Sequence, residues 1–429
     1  MGRRDALQIP SSLESLSTPG DNAALRRFAF LTAAATFVLV WAGGLVTSHE
    51  AGLSVPDWPN SYGYNMFFFP FSKWMGGIFY EHTHRLIGSV VGLLTTILAL
   101  WLFGRNSRPL LRWGGIVLFL AGAVCQVIFL LLAGAVPPVT FPGTADNILL
   151  AGVGLAALGA AFVWPSCGPS AKWLRTLGVV AFAAVVAQGV LGGLRVTQLD
   201  ARLGIFHATL AQLFFVLVSA IALFHTEFWR KLPARAGVDQ KGLRFLFLTA
   251  SALILGQIIL GATMRHQHAG LAIPDFPAAY GKIWPDTDAA SVLKYNQHRM
   301  DVEGYEPITA PQIVLQMAHR TMALVIFVMV GICAWLARRR LGGRDRLSRL
   351  ALGWFLLIVA QIFLGAATVW TGKMADIATA HVACGALSLM TGGLITILSF
   401  RLLAAPAAQT SPAQKNQLTT LRPSSSLSP

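Results

Sequence analysis

Ten long apolar runs set the limits on what this chain can become. They fall at about 26–48, 79–103, 112–134, 145–164, 175–195, 203–226, 243–264, 311–337, 349–370 and 377–400. About 20 helical residues cross a bilayer core, so each run is long enough for one transmembrane helix. A transmembrane barrel would show shorter segments of alternating polarity. Only 12% of residues are charged, against about 25% in soluble chains. The pattern predicts an all-α polytopic membrane protein of about ten transmembrane helices. It excludes a soluble enzyme, a disordered chain and a disulfide-built secreted scaffold. Cys125, Cys167, Cys333 and Cys384 lie in or beside apolar runs without metal-site spacing, and read as small core residues.

A net charge of +15 would suit nucleic acid, but its distribution follows topology. With the N-terminus inside, 23 of the 33 Lys and Arg fall on inside segments and 8 on outside ones. The remaining two, Arg85 and Arg320, lie within spans. This bias fits the positive-inside rule with both termini cytoplasmic, and no nucleic-acid partner is expected. Residues 1–25 carry Asp5, Glu14 and Asp21 and no long apolar core, unlike a signal peptide or a mitochondrial presequence. They are expected to form a cytoplasmic N-terminal segment, and they favour a bacterial plasma membrane. Residues 404–429, rich in Ser, Pro, Gln and Ala, read as a disordered cytoplasmic tail.

An internal repeat divides the chain. AGLSVPDWPNSYG at 51–63 and AGLAIPDFPAAYG at 269–281 are identical at eight of thirteen positions. Both stretches open long segments expected outside, at about 49–78 and 265–310. Glu81-His-Thr-His84-Arg85 opens the second span, and Gln316-Met-Ala-His319-Arg320 opens the eighth. Val186-Ala-Gln188 with Leu191-Gly192 matches Val359-Ala-Gln361 with Leu364-Gly365. Spans 1, 2, 5 and 6 therefore match spans 7, 8, 9 and 10. Two duplicated four-helix bundles are predicted, an N-terminal half at 26–228 and a C-terminal half at 243–403. Spans 3 and 4, at about 112–164, have no counterpart and read as an inserted helix pair.

Four of the ten His lie inside spans: His84, His207, His319 and His381. Each sits a few residues past the outer end of its span, and two belong to each half. At about 1.5 Å rise per residue they share one narrow layer. Two imidazoles from two helices at one depth suit axial ligation of a haem iron held edge-on between helices. The plainer reading of any one of them is a hydrogen-bonded intramembrane His. Zinc is disfavoured, because no Cys or second carboxylate recurs beside them.

Arg85 and Arg320 each follow a His directly. A charge in hydrocarbon costs at least about 2.5 kcal/mol and needs a partner. Haem propionates are the expected one, and a snorkelling helix-end Arg is the alternative. Glu81 breaks the symmetry, since its counterpart is Gln316. It lies one turn from His84, where a carboxylate could move protons or stabilise developing positive charge. The alternative is a structural Glu paired with Arg85. The asymmetry suggests that the N-terminal haem is worked on while the C-terminal haem serves. Asp57 and Asp275 read as turn formers beside Pro, and Asp57, Trp58 and Asp275 are also candidates for a lid over haem. His82 faces away from His84, and His266 and His268 read as loop residues. His49, His225 and His298 carry no assignment.

Taken together, E-x-x-H-R at Glu81–Arg85, GLSVPDWP at 52–59, LGGLRVT at 191–197, FHATLAQ at 206–212, His319 and His381 make the chain resemble the haem A synthase family. The resemblance implies oxidation of the C8 methyl of haem O to a formyl group by successive oxidations with water-derived oxygen, for terminal-oxidase assembly. It implies that His84 and His207 hold the substrate haem O, and that His319 and His381 hold a permanent haem b that relays electrons. Glu81 matches the family's functional Glu. Implied partners are haem O, the haem O synthase (a farnesyltransferase) and the terminal-oxidase assembly machinery. The electron acceptor and self-association into a homo-oligomer stay open. Two features depart from the family: ten spans where eight are usual, and no Cys pair in the first outer segment. Any route that needs that thiol pair is closed to this chain. The competing readings are a di-haem membrane cytochrome b oxidising quinol, and a haem carrier or assembly chaperone.

Overall fold

The computed structural model describes residues 22–132, 143–232, 240–303 and 305–403. The expected cytoplasmic tail and nearly all of the expected N-terminal segment lie outside the described residues. Among the described residues, ten helices are long and apolar enough to cross a membrane. They are α1 Ala23–Ser48, α2 Gly77–Leu102, α3 Arg108–Leu132, α4 Thr144–Val163 and α5 Lys172–Gln198. After them come α6 Ala201–Phe224, α7 Lys241–His266, α8 Ala310–Leu341, α9 Arg346–Trp370 and α10 Ala375–Leu402. No named strand occurs among the described residues. The protein is a multi-pass, all-helical membrane protein.

Local chemistry sets several helix starts. Asn22 accepts from the amide of Leu25 at α1, Asp200 from Arg202 at α6, and Asp345 from Leu347 at α9. These side chains satisfy amides that have no intrahelical acceptor. At α8, Thr309 and Gln312 form a capping box.

Packing closes two rings. In the first, α1 packs on α2, α2 on α5, α5 on α6 and α6 back on α1. In the second, α7 packs on α8, α8 on α9, α9 on α10 and α10 back on α7. The first ring buries Leu98, Leu102, Leu174, Val218 and Ile221. The second buries Leu243, Phe247, Val330 and Trp354. The rings meet along a seam where α1 and α6 touch α10 and α6 touches α7. Ser48 and Thr379 join their hydroxyls across it at 2.9 Å.

Helices α3 and α4 pack chiefly on each other. Gly115, Gly122 and Gly154 let their backbones approach so closely that a Cβ at any of the three would collide with the partner helix. This hairpin rests on the far end of α2 through Leu111, Ala161 and Trp164 against Ile97, Leu100 and Trp101.

Candidate functional site

The two repeated sequences fold into the same turn. Asp57 accepts from the amides of Tyr62 and Gly63, both at 2.7 Å. Asp275 accepts from Tyr280 at 2.8 Å and Gly281 at 2.9 Å. Tyr62 donates its hydroxyl to the Ser54 carbonyl at 2.6 Å, and Tyr280 to Ala272 at 2.7 Å. One turn joins α1 to α2 and the other begins the α7–α8 connection, so both lie at one end of the bundles, here the loop end.

Each turn is fastened to the helix after it. Glu81 is buried and accepts from the Val55 amide at 2.9 Å and from Arg85 Nη2 at 2.8 Å. Arg85 also donates to the carbonyls of Val55, Asp57 and Asn60. In the second half, Gln316 accepts from the Ile273 amide at 2.6 Å, while Arg320 donates to the carbonyls of Ile273, Asp275 and Ala278. The Glu81–Arg85 pair is the partnership expected under the structural alternative. Both arginines, expected to meet propionates, spend donors on the turns, and four of Arg85's five N–H groups are committed.

The four His lie on α2, α6, α8 and α10, each within about three turns of its helix start. Within each ring the two His-bearing helices are diagonal, α2 to α6 and α8 to α10. His207 is close enough to act on His84 electrostatically, and His381 on His319. The two halves thus each bring one His pair together across a bundle.

Each imidazole rests on a glycine of the neighbouring helix. A Cβ at Gly43 would lie 3.1 Å from His84 Cε1, at Gly192 3.3 Å from His207, at Gly261 3.2 Å from His319, and at Gly365 3.1 Å from His381. A side chain at any of these seats would displace the ring. In all four rings Nδ1 is buried without a hydrogen-bond partner. Buried polar atoms are rarely left so. Two diagonal imidazoles in a helical bundle, each set against its own glycine seat, fit axial ligation of a haem. Among the described residues there is no group of three or more His, Cys, Asp or Glu suited to a bare metal ion.

Three seats carry a second device. One turn before the glycine, Gln188 donates to the His207 carbonyl at 3.0 Å, Gln257 to His319 at 2.9 Å and Gln361 to His381 at 3.0 Å. The motif is Q-x-x-L-G, at 188–192, 257–261 and 361–365. Sequence comparison of the halves finds the first and last. The middle one escapes it because α7 aligns with α1, where Leu39 replaces the Gln.

Trp58 reaches α5 beside this site. Its indole lies on Gly193, where any Cβ would collide with the ring. The matching residues of the second half are Phe276 and Ala366, a smaller ring opposite a larger residue. His82 is buried away from the pair, bonded to Ser61 Oγ at 3.2 Å and packed on Phe69 and Trp74. The sequence reading missed Arg195 and Arg265, which lie near the His pairs. Neither recurs in the other half, where Thr368 and Thr47 stand.

A family model described as a cytochrome oxidase assembly protein matches residues 149–392. His207, His319 and His381 fall inside that match, while Glu81 and His84 precede it. The heme A synthase of Bacillus cereus (strain 03BB102) is 26% identical over 212 residues, which is 48% of this chain and 60% of the relative. The heme A synthases of Bacillus anthracis (strain A0248) and Bacillus thuringiensis subsp. konkukian (strain 97-27) match to the same extent. The chain spans 60% of the length of these relatives.

Proposed function

This chain belongs to the cytochrome oxidase assembly protein family, and we propose that within it the chain acts as a haem A synthase. Its substrate is haem O, whose C8 methyl becomes a formyl group. Overall, R–CH3 and H2O give R–CHO, four protons and four electrons. The observation that carries the reading is the pair of diagonal His couples, each imidazole on its own glycine seat.

In this account the two halves have different tasks. His84 and His207 hold haem O, and His319 and His381 hold haem b. Haem b supplies a one-electron carrier for the electrons leaving the substrate. Gly43 and Gly192 leave room for the two substrate-side rings, and Gln188 fixes the α6 backbone at His207. Trp58, held by the first turn, covers the site beside Gly193. Glu81 is fixed by the Val55 amide and by Arg85, one turn from His84. Its fixed charge is suited to stabilise positive charge on the substrate and to orient water. Asp57, Asp275, Arg85 and Arg320 keep the turns in place over the sites. The chain resides in a bacterial plasma membrane with both termini cytoplasmic, and hands its product to terminal-oxidase assembly.

One observation favours a second reading. Glu81 and Gln316 perform the same service for their turns, which suits a di-haem cytochrome b without substrate chemistry. Co-expression with a haem O-forming farnesyltransferase, followed by haem extraction and chromatography, separates the two. The synthase yields haem A or its hydroxymethyl precursor. A haem-loaded protein with only haem b and unchanged haem O is the cytochrome.

A further inference from the structure

Among the described residues, a cluster of positive charge at the seam between the rings has no carboxylate bonded to it. Arg195 extends from α5 toward the loop end, and its guanidinium lies over Gly52, where a Cβ would stand 2.6 Å from Nη2. Arg195 Nε and the His266 imidazole share Gly204 of α6, where a Cβ would collide with the His266 ring and lie 3.2 Å from Nε. Among the described residues the Arg195 guanidinium makes no hydrogen bond, and only the more distant charge of Glu81 acts on it. Glu81 is already bonded to Arg85.

Arg265 stands next in line. It donates to Ser48 Oγ and to the Gly44 carbonyl, so α7 grips α1 across the seam. Arg195 and Arg265 are near enough to repel each other. Arg195 acts on His84 and His207, and Arg265 acts on His381. The two guanidiniums therefore run from one His pair to the other. Like charges gathered in a partly buried place need an anion.

We propose that Arg195, with Arg265 and His266, forms a carboxylate receptor at the seam, which takes the propionates of the porphyrin held between His84 and His207. This rests on the haem reading above. Haem carries two carboxylates on one edge, and an edge-on haem between His84 and His207 would present them toward the loop end. Arginine forks match carboxylates in two-point geometry. Arg265, already fixed to α1, sets the back wall of the receptor and lies between the two porphyrins. The receptor belongs to the N-terminal site, because the second half has Thr368 where the first has Arg195.

The test uses the full-length protein in detergent, titrated with protohaem and with protohaem dimethyl ester, whose propionates carry no charge. Wild type is expected to bind the diacid more tightly than the diester at the N-terminal site, on the order of tenfold or more. Arg195→Gln should lose that preference, and Arg195→Lys should keep most of it. In redox titration, Arg195→Gln should lower the midpoint potential of the N-terminal haem or abolish its binding, while the second haem keeps its potential. Equal binding of diacid and diester by wild type overturns the receptor and leaves the haem reading standing. A preference unchanged in Arg195→Gln does the same. Failure of wild type to bind either porphyrin sinks the haem reading, and the receptor with it.

Discussion

His207 rests on Gly192, so closely that a Cβ there would lie 3.3 Å from the imidazole Cε1. Three other His–Gly pairs repeat this contact within 0.1–0.2 Å of it, at 3.1, 3.2 and 3.1 Å. The glycines are thus the negative of the imidazoles, one on each ring helix that carries none of these four His. Gly192→Ala should weaken haem retention, and Gly192→Val should nearly abolish it in the N-terminal half. Overpacking of this kind costs about 1–3 kcal/mol, about five- to 150-fold in binding. Pyridine haemochrome stoichiometry of purified protein measures it. Gly365→Val should remove the other haem instead.

The Gln clamps should matter less for binding than for rigidity. Gln188→Leu and Gln257→Leu each remove one interhelical bond to a backbone carbonyl, and Gln361→Leu also removes a 3.4 Å contact with His381 Nε2. In membrane helices such bonds contribute about 0.6 kcal/mol on average. A small fall in thermal stability is expected, with normal haem content, by differential scanning fluorimetry in detergent. Complete loss of haem from any of these variants would assign the Gln a larger role than helix fastening.

Much of this was legible in the chain itself. The ten spans follow from apolar run length, and the structure places helices on all ten. The two PD-aromatic-P stretches were readable as turns because Asp and Pro at fixed offsets have few other uses. The glycine seats were not readable, because Gly43, Gly192, Gly261 and Gly365 sit among other small residues in apolar helices. Only the partner ring distinguishes them. Arg85 and Arg320 misled for a related reason. A charge beside a His points to an anion; Arg85 finds one in Glu81, which the sequence displays, but both arginines also bond backbone carbonyls of the turns, which it does not. Arg195 and Arg265 passed unnoticed because they lie near span ends, where an arginine is ordinary.

The pairing of Trp58 with Gly193 predicts a compensated exchange. Gly193→Ala alone forces the indole off α5 and should destabilise the first turn. Trp58→Phe alone leaves a gap and costs less. The double variant reproduces the Phe276 and Ala366 combination of the second half, and should recover most of the stability lost in Gly193→Ala. A double-mutant cycle on thermal stability checks this, and additive losses would contradict it.

The segment joining α7 to α8 should have its own pH dependence. Asp288 caps the Ala289–His298 helix by accepting from the amides of Ala290 and Ser291. Hydrogen bonds from Ser291 hold its carboxyl below the usual aspartate value. A depressed carboxyl contributes stability above its unfolded pKa, and that contribution is lost as pH falls through the folded value. Amide exchange within 289–298 should therefore quicken, relative to intrinsic rates, below about pH 4. Asp288→Asn should remove most of this dependence.

The second half of the protein supplies a control for the role of Glu81. Gln316 shows that an amide in the place of Glu81 still binds the turn, through the Ile273 amide at 2.6 Å. Glu81→Gln should therefore fold, load both haems and keep the turn, while losing the charge one turn from His84. The decisive measurement is chromatography of extracted haems from wild type and Glu81→Gln, each co-expressed with the haem O-forming farnesyltransferase. Wild type should yield haem A, and the fully haem-loaded variant haem O alone or with traces of the hydroxymethyl intermediate. Haem A at wild-type levels from Glu81→Gln would contradict a catalytic carboxylate. No oxidised haem from loaded wild type would contradict the synthase itself.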